Sequence, residues 1–168
     1  MNITMYQATV PTCVRALNSL AEILRKAAAY AETRKIDPKV LLLTRLFPDM
    51  FPLSTQIHIA NDAARGGAAR LAGAEVPAFE TKERTLAEWI AETERSVAYI
   101  QTLKAAQFEG SEDRTITWQT RSSTKSMQGT AYLFHHVLPN LFFHVATAYD
   151  ILRQAGLELG KQDYLGRA

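Results

Sequence analysis

The first long segment of the chain, residues 9–35, has the sequence TVPTCVRALNSLAEILRKAAAYAETRK. Its apolar residues recur every three or four positions and form one stripe, while most of its charged residues fall elsewhere. The stripe consists of Val10, Val14, Leu17, Leu20, Leu24, Ala28 and Ala31. This spacing predicts a long amphipathic helix. A proline fits most easily in a first turn, so we expect the helix to start, or to kink, close to Pro11.

Three later segments have the same apolar spacing. They are residues 52–72, 85–110 and 130–155. The segment 85–110 opens with a capping box, Thr85-Leu86-Ala87-Glu88. The segment 130–155 should be interrupted or kinked at Pro139. Four long amphipathic helices predict an all-α four-helix bundle, formed as a single domain over residues 1–168.

Two shorter signals refine these helices. Asp37-Pro38 is typical of a helix start, with Asp as the cap and Pro in the first position. Gly66-Gly67, in the middle of the second long helix, costs roughly 1 kcal/mol of helix propensity per glycine. We therefore expect another helix to approach closely at these glycines.

The remaining segments are not predicted to be helical. Thr115 to Thr120 alternates with period two, and the turn-like Ser122 to Lys125 follows, which together predict a small β-hairpin between the third and fourth helices. Pro77 and the charged stretch Glu80 to Arg84 should link the second helix to the third. The tail has no helical period and should pack on the bundle as an extended strap through Leu157, Leu159, Tyr164 and Leu165, with a Lys161–Asp163 pair as its anchor.

Charge and cysteine content argue against several classes of protein. Lys+Arg number 19 and Asp+Glu 17, a net charge of +2 that is too balanced for a nucleic-acid-binding surface. Cys13 is the single cysteine, so a reducing compartment is the simplest expectation. The sequence shows neither a signal peptide nor an apolar run of about eighteen residues. We expect a cytoplasmic protein with no nucleic-acid or membrane partner.

The histidines provide the candidate chemistry. His136, Asn140 and His144 are spaced i, i+4, i+8 and share one helix face if Pro139 keeps the register. With His58 across the bundle, this face could form a three-ligand site with an open position, as catalytic zinc or nickel requires. The alternative is a buried His144 that hydrogen-bonds to a neighbour, with His135 and His136 partly exposed and Asn140 acting as a cap or turn residue.

Three stretches carry a resemblance to a known family. They are RLFPDMFPL at residues 45–53, followed by Gln56, then LPNLFFHVATAYDILR at 138–153, and LGKQDYLG at 159–166. The chain resembles the domain-of-unknown-function family nineteen ninety-three, a branch of the DinB/YfiT-like superfamily of metalloenzymes. This resemblance implies an up-down-down-up four-helix bundle with a long crossover, often as a homodimer. It supplies no known activity.

The resemblance also implies a set of site residues. The superfamily is similar to metal-dependent thiol transferases and a mycothiol-dependent isomerase, which hold a divalent metal through one His on the second helix and two on the last. His58 and His144 match two of these positions, but Asn140 stands where metal-binding members have the third His. An amide is a poor ligand for zinc or nickel, and Gln56 is expected to take part in the polar pocket.

Two hypotheses about function therefore stay open, and the sequence leaves undecided whether the protein is an enzyme. In the first, an uncharacterised DinB-like bundle binds a small ligand without a metal in an interior pocket formed by Gln56, His58, Asn140 and His144. In the second, it is a divalent-metal-dependent thiol or small-molecule transferase that uses His58 and His144. Asn140 favours the first hypothesis.

Overall fold

The computed structural model describes residues 2–78, 84–120 and 122–166. Its helices are α1 (Met5–Arg34), α2 (Pro38–Leu43), α3 (Leu53–Leu71), α4 (Leu86–Thr102), α5 (Gly129–Tyr132), α6 (Leu138–Gln154) and α7 (Lys161–Leu165). A short 3-10 turn (Ala105–Phe108) follows α4, and a π-helical turn (Leu133–Val137) joins α5 to α6. The predicted linker at Glu80 to Arg84 lies outside the described residues, except for Arg84.

The predicted hairpin is present between α4 and α5. Strands β1 (Thr115–Gln119) and β2 (Thr124–Gln128) pair antiparallel, with Thr115 opposite Gln128 and Gln119 opposite Thr124. Alternate side chains of β1, Ile116 and Trp118, are buried. The period-two pattern in the sequence therefore reflects a strand with one face on the bundle.

Contacts between α1, α3 and α4 establish the direction of these helices. The ring of Tyr6, at the start of α1, lies 5.6 Å from that of Phe108, beyond the end of α4, so α1 and α4 are antiparallel. Asn61 on α3 donates to Thr93 on α4, and the carbonyl of Glu75, beyond α3, accepts from Tyr99. The contact later on α3 is also the contact later on α4, so the two helices are parallel.

The direction of α6 completes the topology. Gln56 near the start of α3 contacts His144 in the middle of α6, whereas Gly67 near the end of α3 meets Val137 just before α6. Helices α3 and α6 are thus antiparallel, and the four long helices run up, down, down and up. The predicted bundle, with its long crossover between α3 and α4, is confirmed.

The structure excludes a start of α1 at Pro11, whereas a kink at Pro11 stays a prediction. The helix begins at Met5, and Pro11 lies inside it. Thr4 caps it: its side-chain oxygen accepts from the amide of Gln7, and the Gln7 side chain accepts from the amide of Thr4 in return. The Thr-x-x-Gln signal was present in the sequence, and it specifies the start more strongly than the proline does.

A neighbouring helix approaches α3 closely at Gly67. A Cβ at this position would lie 2.5 Å from Cγ1 of Val137, in the π-helical turn. This turn directly precedes Pro139, which has no amide hydrogen to donate to the preceding turn of helix. The structure thus confirms both the close contact expected at the glycines and the interruption expected at the proline.

The tail is only partly extended. Leu157 and Leu159 are buried and Tyr164 is partly buried, as predicted, but Leu165 is exposed and residues 161–165 form the one-turn helix α7. Asp163 begins this helix by accepting from the amide of Gly160, and its other oxygen lies 2.6 Å from Nζ of Lys26 on α1. One helical turn is too short to produce a sequence period. In the structure Asp163 meets a lysine of α1, where the sequence suggested its neighbour Lys161.

Candidate functional site

The polar contact between α3 and α6 is formed by Gln56 and His144, whose exposed fractions are 1% and 8%. Nε2 of Gln56 donates to the carbonyl of Phe51 at 3.0 Å, which directs its Oε1 towards Nδ1 of His144 at 2.6 Å. A carbonyl oxygen can only accept, so the ring proton of His144 is assigned to Nδ1. Nε2 of His144 is then the nitrogen with a lone pair for a ligand.

His144 is neutral at neutral pH. Burial lowers the pKa of its imidazole below the ordinary value of 6.5, because desolvation disfavours the charged ring. The ring of Phe143 meets it edge-on at 5.2 Å. A neutral imidazole with an assigned tautomer can accept a hydrogen bond, accept a proton or bind a metal through Nε2.

His58 has different neighbours. It follows Gln56 by two residues, so the two side chains project about 200° apart around α3. The half-buried ring of His58 lies 6.2 Å from that of Trp89 on α4. Its pKa is lowered, mainly by burial and further by the positive charges of Arg84 and Arg65, while Asp62 and Glu92 act in the opposite direction.

The rest of the predicted face is divided by the π-helical turn. Asn140 is half-buried one helical turn before His144 on α6. The ring of His136, before Pro139, instead lies 4.6 Å from that of Trp118 and 5.4 Å from that of Tyr132. An extra residue in the turn shifts the helical register, so His136 packs under the hairpin.

A cavity of about 1140 Å³ opens at the end of the bundle where α1 ends and α4 begins. Its walls come from the end of α1, from α2, and from the starts of α3 and α4. His58 lines it together with Trp89, whereas Gln56, Asn140 and His144 are not among its lining residues. The candidate residues therefore occupy two places, a polar pair between α3 and α6 and the cavity beside α4.

Sequence reasoning missed the ionic cluster next to this cavity. The buried carboxylate of Glu92 lies 3.0 Å from Arg65 and 3.8 Å from Arg84, and Arg95 binds it from the surface. Burial raises the pKa of Glu92, but the arginines outweigh burial and the net shift is downward. A glutamate and an arginine on the inner faces of α4 and α3 were the available signal, yet their pairing depends on how the two helices align.

Comparison with known proteins identifies the family. Residues 5–165 match the family model described as Domain of unknown function (DUF1993). The chain belongs to the DUF1993 family. It is also similar to the crystal structure of a DinB family member protein from Shewanella denitrificans, with 39% identity, a TM-score of 0.90, and coverage of 98% of this chain and 93% of that one. No curated protein matches it.

The resemblance implies a metal centre held by three protein side chains. Within residues 2–78, 84–120 and 122–166, no group of three or more His, Cys, Asp or Glu side chains is placed to hold a metal ion. The side chains next to His144 are the amides of Gln56 and, one turn away, Asn140, which are weak ligands for zinc or nickel. These residues do not fit a three-ligand centre.

Proposed function

We propose that this DUF1993 protein binds a small organic molecule, without a metal, in the cavity between α1, α2, α3 and α4. The supporting observation is the composition of the wall. Its buried side chains are largely apolar and include Ala31, Leu42, Leu86 and Trp89. Cavities that bind small molecules typically measure roughly 300–1,000 Å³ and combine apolar walls with a few placed polar groups. This one is slightly larger.

Within this proposal His58 supplies the polar contact from α3. Its lowered pKa keeps the ring neutral at neutral pH, so one nitrogen donates and the other accepts. The Gln56–His144 pair forms a second polar centre on the opposite side of α3, next to Asn140. A polar group of a ligand that reached it would bind Nε2 of His144.

The test uses a neutral fluorescent probe, N-phenyl-naphthylamine, which brightens in apolar surroundings. We expect the wild type to bind it, and Ala87→Trp, which places an indole in the cavity mouth, to bind it about tenfold more weakly. Ala98→Trp is the matched control, because Ala98 is exposed on the same helix but away from the cavity. Equal binding by both variants would show that the probe occupies another surface, and would overturn the proposal.

A divalent-metal-dependent thiol or small-molecule transferase is the second candidate. One observation favours it: Gln56 accepts from Nδ1 of His144, and metal-bound imidazoles usually have such a partner behind the ligating nitrogen. Elemental analysis and melting with and without EDTA discriminate. A stoichiometric metal that is lost in His144→Ala would support the transferase. A protein that contains no metal and whose melting temperature does not change with EDTA would favour the metal-free ligand site.

We also propose that the protein forms the homodimer that the resemblance implies. Phe51 and Phe143 flank the Gln56–His144 contact and are 50% and 56% exposed. Exposed aromatic rings are enriched at protein interfaces. Sedimentation velocity should show a dimer that Phe143→Ser weakens, whereas a monomeric wild type would contradict this part of the proposal.

None of the helices that the structure describes is long and apolar enough to cross a membrane.

A further inference from the structure

The charged side chains on the cavity wall differ in how deeply they are buried. Formal charges balance there, with Lys35, Lys39 and Arg84 against Glu32, Asp37 and Glu88. Of the charged side chains that the structure describes on this wall, Arg84 alone is buried, and only 4% of its side chain is exposed. The others are exposed at the mouth, where water and salt weaken their fields. The buried charged group of this wall is therefore the guanidinium of Arg84, which lies 3.8 Å from the carboxylate of Glu92.

The two acids at the helix starts already have roles as caps. Asp37 accepts from the amide of Lys39, and Glu88 accepts from the amide and hydroxyl of Thr85. Both carboxylates are thereby directed to the first turns of α2 and α4. This direction limits their repulsion of an anion deeper in the cavity.

Arg84 is held in a defined position. Its guanidinium carbon lies 5.0 Å from the centre of the Trp89 ring, and its NH2 nitrogen is 3.8 Å from Glu92. The other carboxylate oxygen of Glu92, Oε1, binds Arg65, while Arg95 binds the same Oε2 that Arg84 approaches. A guanidinium has five N–H donors in a planar fork that matches a carboxylate. Stacking on Trp89 pre-orients this fork beside the cavity.

We propose that the ligand of this cavity is an amphipathic carboxylate, whose acid group binds Arg84 and whose apolar body packs on Trp89, Leu42 and Leu86. This inference rests on the proposed function and adds the chemical class of the ligand. A carboxylate suits a single arginine because the pair is planar and bidentate. The buried apolar side chains of the wall, Ala31, Leu42, Leu86 and Trp89, disfavour a ligand that is polar throughout.

The experiment displaces bound N-phenyl-naphthylamine with octanoate or with octanamide, which have the same chain and differ in charge at neutral pH. Octanoate should bind the wild type about tenfold more tightly, the scale of one charge-assisted hydrogen-bonded pair. Arg84→Met should bring the two affinities to near equality, while Arg84→Lys should keep part of the preference. Binding of the neutral probe to Arg84→Met, together with circular dichroism, shows that the variant is folded and its cavity intact.

The outcomes separate this inference from the proposed function. Equal displacement of the probe from the wild type by octanoate and octanamide would overturn the carboxylate assignment and leave a ligand cavity. A preference for octanoate that persists in Arg84→Met would overturn the role of Arg84. Failure of the probe itself to bind in the cavity would remove both proposals.

Discussion

Gln56 connects the imidazole of His144 to the backbone carbonyl of Phe51 before α3, and the side chains of Gln56 and His144 are both buried. Gln56→Leu would leave both Nδ1–H of His144 and the carbonyl of Phe51 without their partner. A buried polar group that loses its hydrogen bond costs about 1–3 kcal/mol, so we expect a loss of that size in urea unfolding. Gln101→Leu, at an exposed position of α4, is the control and should change stability little. An equally small effect of both substitutions would show that the contact contributes nothing.

The pH dependence of stability follows from the same residue. The folded-state pKa of His144 lies below the unfolded value of 6.5, so the unfolded chain takes up this proton first as pH falls. Stability is therefore greatest above this unfolded value and falls as pH drops below it. His144→Gln should flatten the slope of unfolding free energy in this window, leaving the parts that His58 and His136 contribute through their own lowered pKa values. An unchanged slope would contradict the account.

At the scale of helices, the contact of α3 with the π-helical turn depends on one missing Cβ. Gly67→Ala would bring its methyl group to 2.5 Å from Val137, and neither helix can yield without moving backbone. We expect a loss of about 1–3 kcal/mol from this overpacking, measured by urea unfolding. Gly66→Ala is the control: its methyl group comes too close only to the flexible tip of Arg70 and makes an ordinary contact with Asp62, and the gain in helix propensity offsets the displacement of Arg70 to within about 1 kcal/mol. Similar losses in both variants would refute the close-packing explanation.

The elements also show what periodicity could and could not predict. Apolar spacing and caps such as Thr85–Glu88 predicted the long helices, because these signals are local. The direction of His58 was missed, since it depends on how α3 is rotated between α4 and α6. The separation of His136 from His144 needed the π-helical turn, which the spacing alone did not reveal. Gln56 entered only through the family resemblance, although its position two residues from His58 already placed it on another face.

At the scale of the whole molecule, the bundle could be predicted because four amphipathic stripes have few ways to bury one another. The cavity could not be predicted, because it lies between the end of α1, helix α2 and the starts of α3 and α4, and its size depends on how these segments are placed relative to one another. Its buried arginine came from a segment that the sequence assigned to a linker. Arg84 acquires its role from Trp89 and Glu92 on α4, the helix that begins two residues after it.

The tail concerns the whole molecule because it packs the C-terminal end of the chain against the first helix, α1. Deletion of residues 157–168 removes the buried Leu157 and Leu159 and the contact of Asp163 with Lys26. Each buried leucine contributes about 1.5–3 kcal/mol, so we expect a clear fall in melting temperature. Lys26→Met in the full chain should cost little, because water screens this partly exposed pair. An unchanged melting curve after the deletion would show that the tail does not stabilise the bundle.

The location of bound ligand tests the central claim most directly. Nitrogen-15 and side-chain NMR spectra recorded during titration with octanoate should show the largest shifts at the His58 ring, the Trp89 indole and the amides of residues 84–89. The His144 ring should shift little, since it lies on the other side of α3. Shifts concentrated instead around Phe51 and Phe143, or absent at saturating octanoate, would contradict a ligand site in the cavity.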